Sequence, residues 1–172
     1  MTEVIFRTAR RADVPAIVAL LADDPLGAGR EAAGGDAGGT VVGEEVDAAY
    51  WRAVGDIDAA YWRAFDDIDA DPRNALVVAD LAGEVVGTMQ LTFIPGLSRL
   101  GAERAQIEAV RVRADQRGAG LGRRMISWAV DEARARGCRL VQLTTDKRRA
   151  DAHRFYAGLG FEASHEGMKL AL

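Results

Sequence analysis

The stretch Gln116-Arg117-Gly118-Ala119-Gly120-Leu121-Gly122-Arg123-Arg124 limits this 172-residue chain more than any other. It follows a β-like run, Ala105–Val112, and opens an amphipathic helix expected over Leu121–Arg136. A glycine-rich turn feeding a helix aims unpaired backbone N–H groups and the positive end of a helix dipole at one spot, which suits a phosphate. Gly118, Gly120 and Gly122 let the backbone approach that anion closely, and Arg117, Arg123 and Arg124 add charge. The expected ligand of the turn is a pyrophosphate.

Three nucleotide loops compete for the pattern. A dinucleotide fold wants G-x-G-x-x-G early in a βαβ unit, but Met125 stands where the third glycine would be and the loop lies two-thirds along the chain. A P-loop needs Gly-Lys-Ser/Thr, and no lysine lies nearby. The spacing Arg117-x-x-Gly120-x-Gly122, preceded by Val110-Arg111-Val112, resembles the acyl-CoA loop of the GNAT superfamily of N-acetyltransferases. A second motif, Ala152-His153-Arg154-Phe155-Tyr156-Ala157-Gly158-Leu159-Gly160-Phe161, is similar to that family's A-x-x-F-Y-x-x-x-G-F. Gly160 is suited to ending the short helix in a left-handed turn. One position departs from the pattern: Arg149 stands where many members carry Asn.

The resemblance implies a mixed α/β domain over 1–172 with a central mixed sheet flanked by helices, and acetyl-CoA as co-substrate. It implies that Val110, Arg111 and Val112 pair with the pantetheine as though it were a strand, with an oxyanion-binding N–H near Val110. Arg117, Gly118, Ala119, Gly120, Leu121, Gly122 and Arg123 would hold the pyrophosphate, and Arg149 would reach the phosphates or pantetheine. Tyr156 would lie beside the CoA sulfur as general acid, since a phenol of ordinary pKa about 10 stays protonated. Glu108 is the first choice for the base, placed by simple alternation on Val110's face of the strand; Glu103 or a water chain is the reserve. His153 reads as a surface residue, and His165 could edge the acceptor pocket. Two histidines and one cysteine, none at ligand spacing, argue against a metal.

Composition sets the outer bounds. An apolar fraction of 49% with 28% charged residues is ordinary for a soluble globule of one domain. Cys138 alone excludes an internal disulfide and reads as a small residue at the start of a buried strand. No basic-then-apolar leader and no apolar run near 18 residues are present, so a cytoplasmic, non-membrane protein is expected. The net charge of −4 is unevenly spread. Residues 1–99 carry 8 basic and 17 acidic side chains, residues 100–172 carry 14 and 9. A basic C-terminal part suits a polyanionic cofactor, and an acidic N-terminal part suits a cationic amine. No long basic cluster with interleaved aromatics points to nucleic acid.

The expected order is β α α β β β α β α β. Val4–Thr8 starts it, then a helix N-capped by Asp13 through about Leu21, with Val14, Ile17, Val18 and Leu21 on one face. Residues 27–43 hold seven glycines and read as a loop or lid. An 11-residue tandem repeat follows, Val46–Asp56 and Ile57–Asp67, identical at eight positions. Eleven residues make close to three helical turns, so the copies stay in phase. One long second helix is expected from about Glu44 to Asp69, roughly 40 Å at 1.5 Å per residue, with Gly55 able to split it. Ala75–Asp80 and Val85–Phe93 read as a hairpin about Ala82-Gly83-Glu84. Cys138–Thr144 reads as a buried strand, Ala150–Leu159 as a helix and Phe161–Leu172 as a last strand.

Two classes of function follow. The first is an enzyme that acetylates a primary amine from acetyl-CoA, the acceptor being a small cationic molecule or a protein N-terminus or lysine. The second is a non-catalytic acyl-CoA-binding module that works through a partner. Trp51 and Trp62, on matching faces of the repeat, would then offer a partner or homodimer surface.

Overall fold

The computed structural model describes residues 3–23 and 57–170. The elements are β1 (Val4–Thr8), α1 (Val14–Ala22), α2 (Ala59–Ala70), β2 (Asn74–Leu81), β3 (Glu84–Ile94), β4 (Arg104–Val112), α3 (Leu121–Ala135), β5 (Leu140–Leu143) and α4 (Ala150–Ala157). They form a sheet in the order β1-β2-β3-β4-β5. The first four strands are antiparallel, and β5 runs parallel to β4 because α3 carries the chain back along one face. The β2–β3 turn places Ala82 (φ 56°) and Gly83 (φ 90°) in the left-handed region, the conformation that matches strand twist in a two-residue hairpin.

The two faces of the sheet are filled differently. Leu121, Met125, Ala129 and Ala133 recur every fourth residue of α3 and pack on Val77, Ala79, Val86, Met89, Leu91 and Ile107. On the other face α1 and α2 cover only part of the sheet, through Val14, Ile17 and Phe65 packed on Val78. Gly87 is fixed by close packing: a Cβ there would meet Met125 Sδ at 3.0 Å and the Arg111 carbonyl at 3.1 Å. Gly87→Ala is expected to destabilise the protein by about 1–3 kcal/mol, read as a lower midpoint of urea unfolding.

The structure departs from expectation at three elements. Asp13 does not cap α1; its carboxylate accepts from the Arg10 N–H (2.7 Å) and the Arg7 guanidinium (2.7 and 3.0 Å), which also reaches Asp80 at 2.9 Å. The second helix starts at Ala59, because Asp58 has extended backbone (φ −50°, ψ 133°) and its side chain caps the Ala60 N–H. A helix continuous through both copies is therefore interrupted at Asp58; the first copy and the glycine-rich stretch 27–43 lie outside the described residues, as does Trp51. Trp62 is half-buried beneath the Arg11 guanidinium, 4.9 Å from its ring, rather than openly displayed. The last strand does not form over Phe161–Leu170. Apolar residues alternate only at its two ends, Phe161 with Ala163 and Met168 with Leu170; the second pair is nearly fully exposed, and no strand edge pairs with the stretch among the described residues.

Candidate functional site

The glycine turn has the local structure its sequence suggests. Gly118 (φ 79°) and Gly120 (φ 80°) are left-handed, and Gly120 is the residue before α3. No atom lies within 4 Å of a Cβ built at either position, so these glycines border open space and are required by backbone conformation. Gly122 has ordinary helical geometry and lies against Phe155, where a Cβ would sit 3.5 Å from the ring. Backbone bonding resumes at Arg124 N–H to the Gly120 carbonyl, 3.2 Å; among the described residues the N–H groups of 118–123 have no backbone acceptor. Ala119 and Leu121 fall within this run, with Leu121 buried in the core.

The flanking arginines divide their roles. Arg117 donates to the Val112 carbonyl (2.9 Å) and pairs with Asp23 (2.6 Å), tethering the end of α1 to the turn. Arg124 turns away to the Val4 carbonyl (3.1 Å) and the face of Phe6, so it is a strut of the fold. Arg123 is exposed, near Gly158.

Beside the turn, β4 outruns β5. Their pairing ends at Ile107 with Leu143, while β4 continues to Val112, leaving the edge at 108–112 without a β5 partner. The same stretch carries a bulge. Thr88 faces Arg111 and Gln90 faces Glu108, so β3 advances two residues where β4 advances three, with Ala109 at φ 51°. The extra residue overturns the simple alternation that put Glu108 on Val110's face. Val110 and Val112 pack with Ile107 on the α3 side, whereas Glu108 is exposed on the α1–α2 side with Gln106.

Tyr156 lies on α4, half-buried on the α3 side of the gap, edge-on to Phe155 and Phe161 with ring centres at 5.1 and 5.9 Å. Burial pushes its phenol above the ordinary value of 10.0, while the charges of Arg149 and Arg111 pull it down. Arg149 is the residue before α4, and Arg111 donates to the Val110 carbonyl at 2.9 Å. Gly160 (φ 89°) ends the helix as expected, with the Phe161 N–H on the Tyr156 carbonyl at 3.1 Å. His153 contacts the Asp146 carbonyl at 3.1 Å, and His165 is exposed against Ser164. Glu103 is at the far end of β4 from the bulge, held by Arg136 at 3.0 Å and near Cys138 Sγ at 3.7 Å. Burial and that carboxylate raise the Cys138 thiol's pKa.

Sequence reading missed the polar floor on the α1–α2 side. Asn74, Thr92, Gln106 and Gln142 lie directly opposite one another across four strands, with Gln90 opposite Glu108 in the next row. Thr92 and Gln90 both bond Asn74 Oδ1 (2.8 and 3.2 Å), and Gln142 donates to Gln106 at 2.6 Å. The signal was legible as Arg104-x-Gln106-x-Glu108, three polar residues at period two in a strand whose other face is apolar. An apolar cleft of about 150 Å³ opens between α1 and α2 above this floor, lined by Ile17, Leu21, Tyr61, Phe65, Gln90 and Ala109. Among the described residues there is no cluster able to hold a metal and no helix long and apolar enough to cross a membrane.

Comparison with known proteins agrees with this geometry. Residues 43–161 match the Acetyltransferase (GNAT) family. The chain is 36% identical over 95 residues to aminoalkylphosphonate N-acetyltransferase of Salmonella typhimurium, covering 55% of this chain and 61% of that protein. It is 36% identical over 90 residues to glucosamine 6-phosphate N-acetyltransferase of Trypanosoma brucei brucei, covering 52% and 59%. It thus spans about three-fifths of the length of these curated relatives. A crystal structure described as a transcriptional regulator from Bacillus halodurans C-125 superposes with a TM-score of 0.83 at 41% identity, over 99% of this chain and 100% of that one. The open glycine turn, the overrunning bulged strand and a match across residues 43–161 lead to one assignment: the chain belongs to the GNAT acetyltransferase family.

Proposed function

We propose that this protein transfers the acetyl group of acetyl-CoA to the primary amine of a small molecule. The observation that carries the reading is the gap where β4 passes the end of β5, with the anion-binding turn at one end and Glu108 and Tyr156 on its opposite sides. The edge of β4 at Val110, Arg111 and Val112, which has no β5 partner, suits an amide-bearing pantetheine arm, and the turn suits its pyrophosphate. The residues present therefore fit the co-substrate.

In this reading Glu108 removes a proton from the acceptor nitrogen as the N–C bond forms at the thioester carbonyl. A backbone N–H at the bulge, near Val110, holds the developing oxyanion, which requires a donor fixed before the reaction begins. Tyr156 gives its proton to the sulfur as the C–S bond breaks, and solvent restores it. The reading assigns amine to the α1–α2 side and thiol to the α3 side, so base and acid do not compete for one proton. Arg149 and Arg111 add positive charge beside Tyr156 and the co-substrate. The apolar cleft and the acidic N-terminal part supply the walls and field of the acceptor site. A homodimer through α2 and a cytoplasmic location complete the reading.

Thiol release from acetyl-CoA with a panel of primary amines tests it. Amine-dependent release of one thiol per acetylated amine is expected, whereas acetyl-CoA binding without release for any amine would favour a binding module. Tyr156→Phe is expected to lower kcat about 10²-fold with acetyl-CoA affinity retained. Because burial raises the phenol, no fall in wild-type rate is expected from Tyr156 below pH 10; a pH–rate series in both forms checks this.

A further inference from the structure

The polar floor leads away from Glu108 to a second cavity of about 280 Å³, lined by Ser98, Arg99, Glu103, Arg104, Arg139 and Gln142. Three arginines line it. Elsewhere the chain places carboxylates against many of its arginines: Arg7 on Asp13 and Asp80, Arg113 on Asp115 and Glu84, Arg117 on Asp23, Arg148 on Asp146. Arg99, Arg104 and Arg139 have no side-chain hydrogen bond or ion pair among the described residues. The one carboxylate of the cavity, Glu103, is committed to Arg136 at 3.0 Å. The cavity therefore holds an excess of positive charge in a concave site, the arrangement that selects an oxyanion.

Two further observations agree. Arg99 (φ 54°) and Leu100 (φ 62°) are consecutive non-glycine residues in the left-handed region, a strained turn from which Arg99 lines the cavity. Arg104, Gln106 and Glu108 share one face of β4, and Leu140 and Gln142 sit opposite the first two on β5. At about 3.4 Å per residue, the four-residue step from Arg104 to Glu108 is on the order of 13 Å. Gln106 and Gln142 lie midway, with amide donors and acceptors for the polar atoms between.

We infer that this arginine cavity is the acceptor's anion subsite: the substrate is a primary amine that also carries a phosphate or phosphonate group, its anion held by Arg99, Arg104 and Arg139 and its amine delivered to Glu108. The inference rests on acetyl transfer at Glu108. It narrows the acceptor from any cationic amine to one with an anionic far end. The span between subsites favours a linker of several bonds over aminomethylphosphonate.

The test uses the whole protein saturated with CoA, so that the glycine turn is occupied. Binding of 3-aminopropylphosphonate, n-propylamine and inorganic phosphate is measured by calorimetry in that state, and acetylation of the two amines by thiol release in separate reactions supplied with acetyl-CoA and no added CoA. The wild type is expected to bind and acetylate the phosphonate at least tenfold better than propylamine. Arg104→Gln and Arg139→Gln are each expected to weaken phosphonate and phosphate binding about tenfold or more, through loss of a charged hydrogen-bond partner. Propylamine turnover should stay unchanged, and Arg63→Gln on α2 should alter neither. Unchanged melting temperature and CoA affinity identify folded variants, and the exposed Arg139 keeps the test open if the strand variant unfolds. Equal treatment of the two amines, or undiminished phosphonate binding in both arginine variants, would overturn the inference. Phosphonate binding that depends on the arginines, without turnover of any amine, would support the subsite and reject the acetyl-transfer reading.

Discussion

Glu108→Gln will lower acetyl transfer by about 10²–10⁴-fold while acetyl-CoA affinity stays within twofold. The range is that of a positioned general base. Glu108 lies on the α1–α2 side of β4, opposite Gln90 across the strands, next to a cleft that reaches Ala109. Glutamine keeps the shape and the polarity, so the sheet should not change. The rise of rate with pH should alter in form, because the variant depends on acceptor already free of its proton. Steady-state rates from pH 6 to 10, with CoA affinity from fluorescence quenching, check this. A rate near wild type at every pH would give the proton to a water chain, since Glu103 is held by Arg136 at the other end of the strand.

Gly120→Asp will abolish stabilisation by acetyl-CoA. At φ 80° a side chain costs about 1–3 kcal/mol in backbone strain. The carboxylate also enters the space the phosphates need, at the N-terminal end of α3. A ligand at 100 times its Kd stabilises the folded state by about 2.7 kcal/mol, and that increment should vanish from the melting curve. Because nothing lies within 4 Å of the added Cβ, the protein itself has room for the substitution. Gly120→Ala separates strain from charge and should retain part of the shift. A full shift in Gly120→Asp would move the cofactor elsewhere.

How far the sequence carried depends on the range of the forces involved. Glycine turns, capping and period-four apolar spacing act within a few residues, so the hairpin at Ala82-Gly83, the turn at 117–122 and helix α3 were legible. The bulge was not: Ala109 has no glycine or proline to mark it, and only the register against Thr88 and Gln90 reveals the added residue. That one residue moved Glu108 to the opposite face from Val110. Arginine roles were equally hidden, because Arg117 and Arg124 find their partners 94 and 120 residues away. The repeat misled for a local reason: Asp58 is a better N-cap than a mid-helix residue, and its carboxylate takes the Ala60 N–H. The arginine cavity draws on the 98–101 turn, β4 and β5, and only the fold brings these together.

A crystal structure of the acetyl-CoA complex tests the central claim most directly. Pyrophosphate oxygens are expected within about 3 Å of backbone N–H groups between Gly118 and Arg123. The pantetheine is expected alongside Val110–Val112 in the gap past Leu143, with the thioester between Glu108 and Tyr156. A cofactor seated away from the glycine turn, or a thioester out of reach of the β4 bulge, would contradict it.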